Sequence, residues 1–177
     1  MRFAAFLRNV NLGRPGSPTR AQLESAFLEA GAASAASFQV NGTLVFTPAP
    51  GRRARAVASR ACAVMHASCG LREPVFVRSL DELQALVASD PFARQLAEGL
   101  DSCCISFLGA PPTALPPLPL VTPRGDLEIL RAEDTHVLSV SRWLGKSGGS
   151  PNAWLERTLG EPATTRNWRT LVRLVAK

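Results

Sequence analysis

SFQVNGTLVFTP, residues 37–48, sets the pair Asn41-Gly42 between two runs of strand-forming residues. Asn and Gly tolerate the positive φ angles of a tight turn, so the stretch predicts a β-hairpin. Upstream, RFAAFLR (2–8) predicts a buried strand, and NVNLGRPGSP after it a loop, because Asn, Gly and Pro cluster there. Thr19 stands three residues before Gln22 as a capping box, and Leu23, Ala26, Phe27 and Ala30 recur at helical spacing until Gly31. Downstream, a helix from about Arg52 to Ser68 stops at Gly70, and EPVFVR (73–78) predicts a short strand. The order strand, helix, strand, strand, helix, strand is that of a ferredoxin-like βαββαβ plait with an antiparallel sheet.

The second half repeats the theme less regularly. SLDELQALVAS predicts a helix capped by Ser79, SCCISFLG a strand near 103–108, and APPTALPPLPLVTPRG a connection too rich in proline for a regular helix. Alternating apolar positions in DLEILRA and DTHVLSV predict a second hairpin, with strands near 126–132 and 135–141. Ser150-Pro151 opens a helix that Gly160 closes. The expected fold class is therefore α+β: two ferredoxin-like units with antiparallel sheets, residues 1–78 and 79–177, the second degraded and packed against the first.

With 177 residues, 46% of them hydrophobic and 19% charged, the chain falls in the globular class and can bury a core without metal or disulfide. The N-terminal apolar run is too short for a signal peptide, and nowhere do eighteen apolar residues follow one another. A cytoplasmic protein with no membrane association is expected. The cysteines, Cys62, Cys69, Cys103 and Cys104, contain no two-residue-spaced pair. Ala58, Cys62, Met65 and Cys69 have the spacing of one buried helical stripe. His66 and His136 are the only histidines, so neither a metal site nor a cofactor is expected.

Charge is uneven along the chain. Residues 1–78 hold ten arginines against three acids, a net +7, while residues 79–177 come to −1. Arginine in the first half suits phosphate or carboxylate partners. Three of its arginines, Arg52, Arg53 and Arg55, stand where a helix begins, a place where each cation opposes the helix dipole by about 0.3–1 kcal/mol.

Two further stretches end regular structure with polar groups. In WLGKSGGSPN, Gly145-Lys146-Ser147 imitates the end of a phosphate-binding loop, but the motif's first glycine would fall at Val140, which excludes nucleotide hydrolysis by that route. A glycine-rich loop with Arg142 and Lys146 that leads into a capped helix still forms a candidate anion nest. In PATTRNWRTLVRLVAK, Thr165 is the expected N-cap of a terminal amphipathic helix. Trp168, Leu171, Val172 and Val175 are expected on its buried face, with Arg166, Asn167 and first-turn amides left for an anion. Loop residues Arg8, Asn9 and Asn11 complete the set. No nucleophile elbow and no close acid pair mark a catalytic centre, and no catalytic residue is assigned.

FLRNVNLG, FQVNGTLVF, VFVRSLDEL with DPF after it, and LERTLGEPATTRNWRTLVRL together resemble the uncharacterised bacterial domain-of-unknown-function family 1697, collinearly over nearly the whole chain. The resemblance implies two ferredoxin-like units and no established activity. That family's pattern has Arg-Gly-Ile-Asn-Val-Gly where this chain has Arg8 to Gly13, and Gln-Ser-Gly-Asn where it has Val40 to Thr43.

The expected function is binding of a small phosphate- or carboxylate-bearing ligand between the two halves, through Arg8, Asn9, Asn11, Lys146, Ser147, Thr165, Arg166 and Asn167. The alternative is a nucleic-acid-binding module that uses the basic N-terminal half. Against it, the chain has no tyrosine, and the hairpin lacks the paired aromatics that stack bases.

Overall fold

The computed structural model describes every residue except 94, 96–99, 145 and 146. Its first elements are β1 (Phe3–Leu7), α1 (Arg20–Glu29), β2 (Ala32–Gln39), β3 (Thr43–Pro48), α2 (Ala54–Cys69) and β4 (Val75–Ser79). They form an antiparallel sheet in the order β2-β3-β1-β4, the strand order of a βαββαβ plait. α3 (Leu80–Ala88) follows and crosses the border between the two compact units of the chain, Met1–Ala85 and Leu86–Lys177.

The deciding hairpin forms with a changed turn. Gln39 pairs with Thr43, so the loop has three residues, and in it Gly42 takes a positive φ of 72° while Asn41 does not. Asn41 instead braces the loop through its side chain, which donates to Gln39 Oε1 at 3.1 Å and accepts from Thr43 Oγ1 at 2.8 Å. A Cβ at position 42 would meet Val10 Cβ at 2.8 Å, so glycine meets both the backbone and the packing requirement. The positive φ of 51° at Asn9 is likewise one that Asn accepts more readily than other side chains.

Capping explains where helices begin. Thr19 Oγ1 accepts from Gln22 N and Gln22 Oε1 accepts from Thr19 N, the predicted capping box. Ser79 and Glu82 form the same box ahead of α3. α2, by contrast, starts at Ala54 behind Arg53, which supplies no side-chain cap. The first core packs Leu23, Phe27, Leu44, Phe46, Ala58 and Met65, with the Phe27 and Phe46 rings 5.0 Å apart. The predicted cysteine stripe is rotated: Val57, Ala58, Ala61 and Met65 are buried, while Cys62 and Cys69 sit half-buried at the core's edge.

The second unit contains β5 (Leu100–Leu108), β6 (Leu120–Val121), β7 (Leu127–Glu133), β8 (His136–Leu144), β9 (Ser147–Gly148), α4 (Pro151–Leu159), β10 (Ala163–Asn167) and α5 (Trp168–Val175). Its antiparallel sheet runs β10-β5-β8-β7-β6, and β9 pairs with the end of β8. With β5, β7, β8 and β10 counted as first to fourth, the order equals that of the first sheet. The first crossover differs: the proline-rich segment carries only the edge strand β6, with no helix. On the sheet face covered by α4, Leu108, Leu127, Ile129 and Val137 pack on Leu155, and Leu115 and Leu118 of the connection close the margin.

The terminal segment corrects one expectation. Thr165 is not a helix cap but a residue of β10, and its Oγ1 lies 2.7 Å from Ser106 Oγ on the neighbouring strand. The cap is Asn167, whose Oδ1 accepts from Arg169 N at 2.9 Å. The buried face of α5 carries Trp168, Leu171 and Leu174, with Val172 exposed and the Trp168 ring edge-on to Phe92 at 5.1 Å. Among the described residues, no helix is long and apolar enough to cross a membrane.

Candidate functional site

The residues singled out from sequence fall on three segments, one in the first unit and two in the second. Arg8 and Asn9, after β1, both turn to Glu73 ahead of β4: Arg8 Nη1 donates to Glu73 Oε2 at 2.5 Å, and Asn9 Nδ2 to Glu73 Oε1 at 3.3 Å. Asn11 donates through its backbone N to Ser17 Oγ at 3.2 Å. These contacts fold the loop and engage the side chains of Arg8 and Asn9 with Glu73.

Thr165, Arg166 and Asn167 are consecutive on β10, so Arg166 points to the face opposite the other two. Arg166 was expected beside exposed first-turn amides and is instead only 6% exposed. Its guanidinium donates to Thr164 Oγ1 and to Thr165 O, each at 2.8 Å. Burial lowers its pKa to about 10, which leaves it protonated at neutral pH. Lys146 lies outside the described residues. Ser147 opens β9, and Arg142 is held by Glu128 at 3.2 Å, which takes it out of the expected nest.

The glycine-rich stretch nevertheless leads to a pocket of about 400 Å³. One wall is the Thr122–Leu127 turn, another is Gly148 to Ser150, and the third is the face of α4 with Ala153, Trp154 and Arg157. The helical period places Ser150, Ala153, Trp154 and Arg157 on this one face. The α4 N-terminus is already occupied, because Ser150 Oγ accepts from Ala153 N and proline fills the first position. Attraction for an anion therefore comes from side chains. Arg124 is exposed and touches Asp126 at 3.4 Å; Arg157 is exposed and, among the described residues, its side chain has no hydrogen bond or ion pair.

Asp126 organises the pocket wall. Its buried carboxylate accepts from Thr122 Oγ1 at 3.0 Å, and its backbone oxygen accepts from Arg142 N at 2.9 Å and Gly149 N at 3.2 Å. Gly149 lies so close that a Cβ there would stand 2.4 Å from that oxygen and 2.7 Å from Leu127 Cβ. Ser141 Oγ donates to Gly149 O at 3.0 Å and completes the lock. The result is a concave space with a backbone wall, a half-buried tryptophan and one net positive charge.

Sequence reasoning reached Gly148 to Ser150 but missed Arg124, Trp154 and Arg157. Trp154 and Arg157, four and seven residues after the Ser150 cap, were the available signal. Elsewhere, burial pushes the Cys62 thiol up to about 11 and raises that of Cys103, so both stay protonated at neutral pH. Among the described residues, no three His, Cys, Asp or Glu side chains come together as metal ligands would need.

The family model described as "Protein of unknown function (DUF1697)" matches residues 1–137, and so ends before the C-terminal block. No curated protein matches the sequence. Among solved structures, the conserved bacterial protein SP0830 from Streptococcus pneumoniae is similar, with a TM-score of 0.62 at 13% identity over 99% of this chain and 97% of that one. At that identity the likeness is one of fold.

Proposed function

This chain belongs to the DUF1697 family of proteins of unknown function, and we propose that it binds a small organic anion in the pocket between α4 and the Thr122–Leu127 turn. The carrying observation is the combination of a concave space of about 400 Å³, within the usual range for small-molecule sites, with Arg157 directed to no internal partner. Arg124 and Arg157 oppose one acid, Asp126, so the charge balance suits a single carboxylate or a phosphomonoester better than a polyanion. Trp154, Leu127 and Pro123 offer apolar contact to the remainder of the ligand. No catalytic step is assigned.

Native mass spectrometry of the purified protein, followed by titration with the anion it carries or with a panel of aromatic carboxylates and phosphomonoesters, tests this reading. Saturable binding is expected, with Arg157→Ala weaker by at least about tenfold through loss of a charge-assisted contact. The Arg52→Ala/Arg53→Ala/Arg55→Ala variant should bind that ligand as the parent does, since none of the three arginines lines that pocket. Equal affinity of the Arg157→Ala variant, or no saturable binding of any panel member, refutes the assignment.

A further inference from the structure

We propose that the basic depression at the start of α2, in the first unit, is a separate site for a compact phosphate group carrying more than one negative charge. It has a volume of about 220 Å³ and is lined by Arg52, Arg53 and Arg60 with no acidic side chain. Among the described residues the side chains of these three arginines form no hydrogen bond or ion pair. Three guanidiniums that converge on one concavity without a carboxylate repel one another, and an anion with several oxygens relieves that repulsion. The guanidiniums carry the inference; the helix end merely gives them their place.

Their positions are set by the backbone. Arg52 N donates to Ala49 O at 3.0 Å, which closes a turn through Pro50 and Gly51, and Ala49 N donates to Gly31 O at 3.0 Å. Arg53 and Arg60 are seven residues apart on one side of α2, two turns along the same face. Arg52 lies across Gly31, with Nε 3.6 Å from where a Cβ would stand there.

Phosphate is favoured over carboxylate because three forked donors exceed what one planar carboxylate can satisfy. A compact ligand is favoured over a nucleic-acid strand because the arginines surround one concavity and no aromatic side chain lines it to stack a base. Because a phosphate can belong to a free ligand or to a strand, the experiment has an arm for each.

Inorganic pyrophosphate is titrated calorimetrically into the full chain, and a labelled single-stranded RNA oligonucleotide is tested in parallel. The expected result is one pyrophosphate site per chain. It should weaken by at least about tenfold in Arg53→Ala/Arg60→Ala through the loss of two charge-assisted contacts, and stay unchanged in Arg157→Ala. Circular dichroism verifies that the double variant is folded, as its exposed positions predict. The proposal is overturned if pyrophosphate does not bind, if the double variant binds it equally well, or if RNA binds and pyrophosphate fails to displace it.

Discussion

The two units run their four main strands in the same order, yet they finish the helix-bearing face of the sheet differently. In the first, α1 and α2 lie side by side over Leu44 and Phe46, and the face is filled by large apolar side chains such as Phe27 and Met65. In the second, among the described residues, no helix packs on α4 as α2 packs on α1, Leu115 and Leu118 of the proline-rich connection stand in at the margin, and a pocket opens beside Trp154 and Arg157. An extended connection in place of one helix thus goes with an open pocket beside an intact sheet. The depressions differ in charge as well: three unopposed arginines line the first, and two arginines with one acid line the second.

The largest expected effect concerns packing. Phe46→Ala removes a fully buried ring and should cost about 3–5 kcal/mol, whereas Leu155→Ala should fall near the low end of about 2–5 kcal/mol because its surroundings can relax toward the pocket. Denaturant unfolding, with hydrogen exchange to read each unit separately, measures both. Equal costs would break the comparison, since the second face would then be packed as tightly as the first.

A smaller effect lies at the border of β10 and α5. Asn167→Ala should cost about 0.5–2 kcal/mol and lower helicity, as the loss of a cap does. Thr165→Val should cost about 0.5–1.5 kcal/mol with no change in helicity, because it removes the hydroxyl's contacts with Ser106 and, at 3.5 Å, Asn152 Oδ1 and leaves the Asn167 cap in place. A loss of helicity in Thr165→Val would restore that residue as the cap.

The smallest effect is one of pH. The backbone N–H of Ser79 holds Glu82 below its ordinary pKa, with burial opposing this and the Ser79 hydroxyl, Arg78 and Arg55 assisting. A carboxyl depressed in the folded state stabilises above its unfolded pKa, about 4.3, and that contribution disappears as pH falls through the folded value. NMR titration of the Glu82 carboxyl should place it low in the parent and higher in Ser79→Ala. Because Ser79→Ala keeps the backbone N–H, no difference between the two would show that the hydroxyl adds nothing to the depression.

Local rules made most elements legible. The capping box at Thr19, the strand alternation of residues 126–141 and the Ser150-Pro151 helix start are each encoded within a few residues. What stayed hidden depended on distant partners. Thr165 has the right side chain for a cap, and the pairing of β10 with β5, which sets Ser106 opposite it from fifty-nine positions away, draws it into a strand instead. Arg166 reads as surface and is buried by its place in the sheet. The pocket was half visible: Gly148 to Ser150 marked its place, but Arg124 and Arg157 are brought together only by the return of the chain between β6 and α4.

Gly149 bears on how such a pocket could change its ligand. Because a Cβ there would stand 2.4 Å from Asp126 O, that wall is backbone, and substitution at this position cannot retune it without moving the strands behind it. For the proposed site, a new preference would have to be written through side chains on the other walls, at Trp154 and Arg157, and at Arg124, whose ion pair with Asp126 also ties it to the lock. Engineering that begins at those three positions would alter selectivity, while a library that includes position 149 would mostly sample damaged scaffolds.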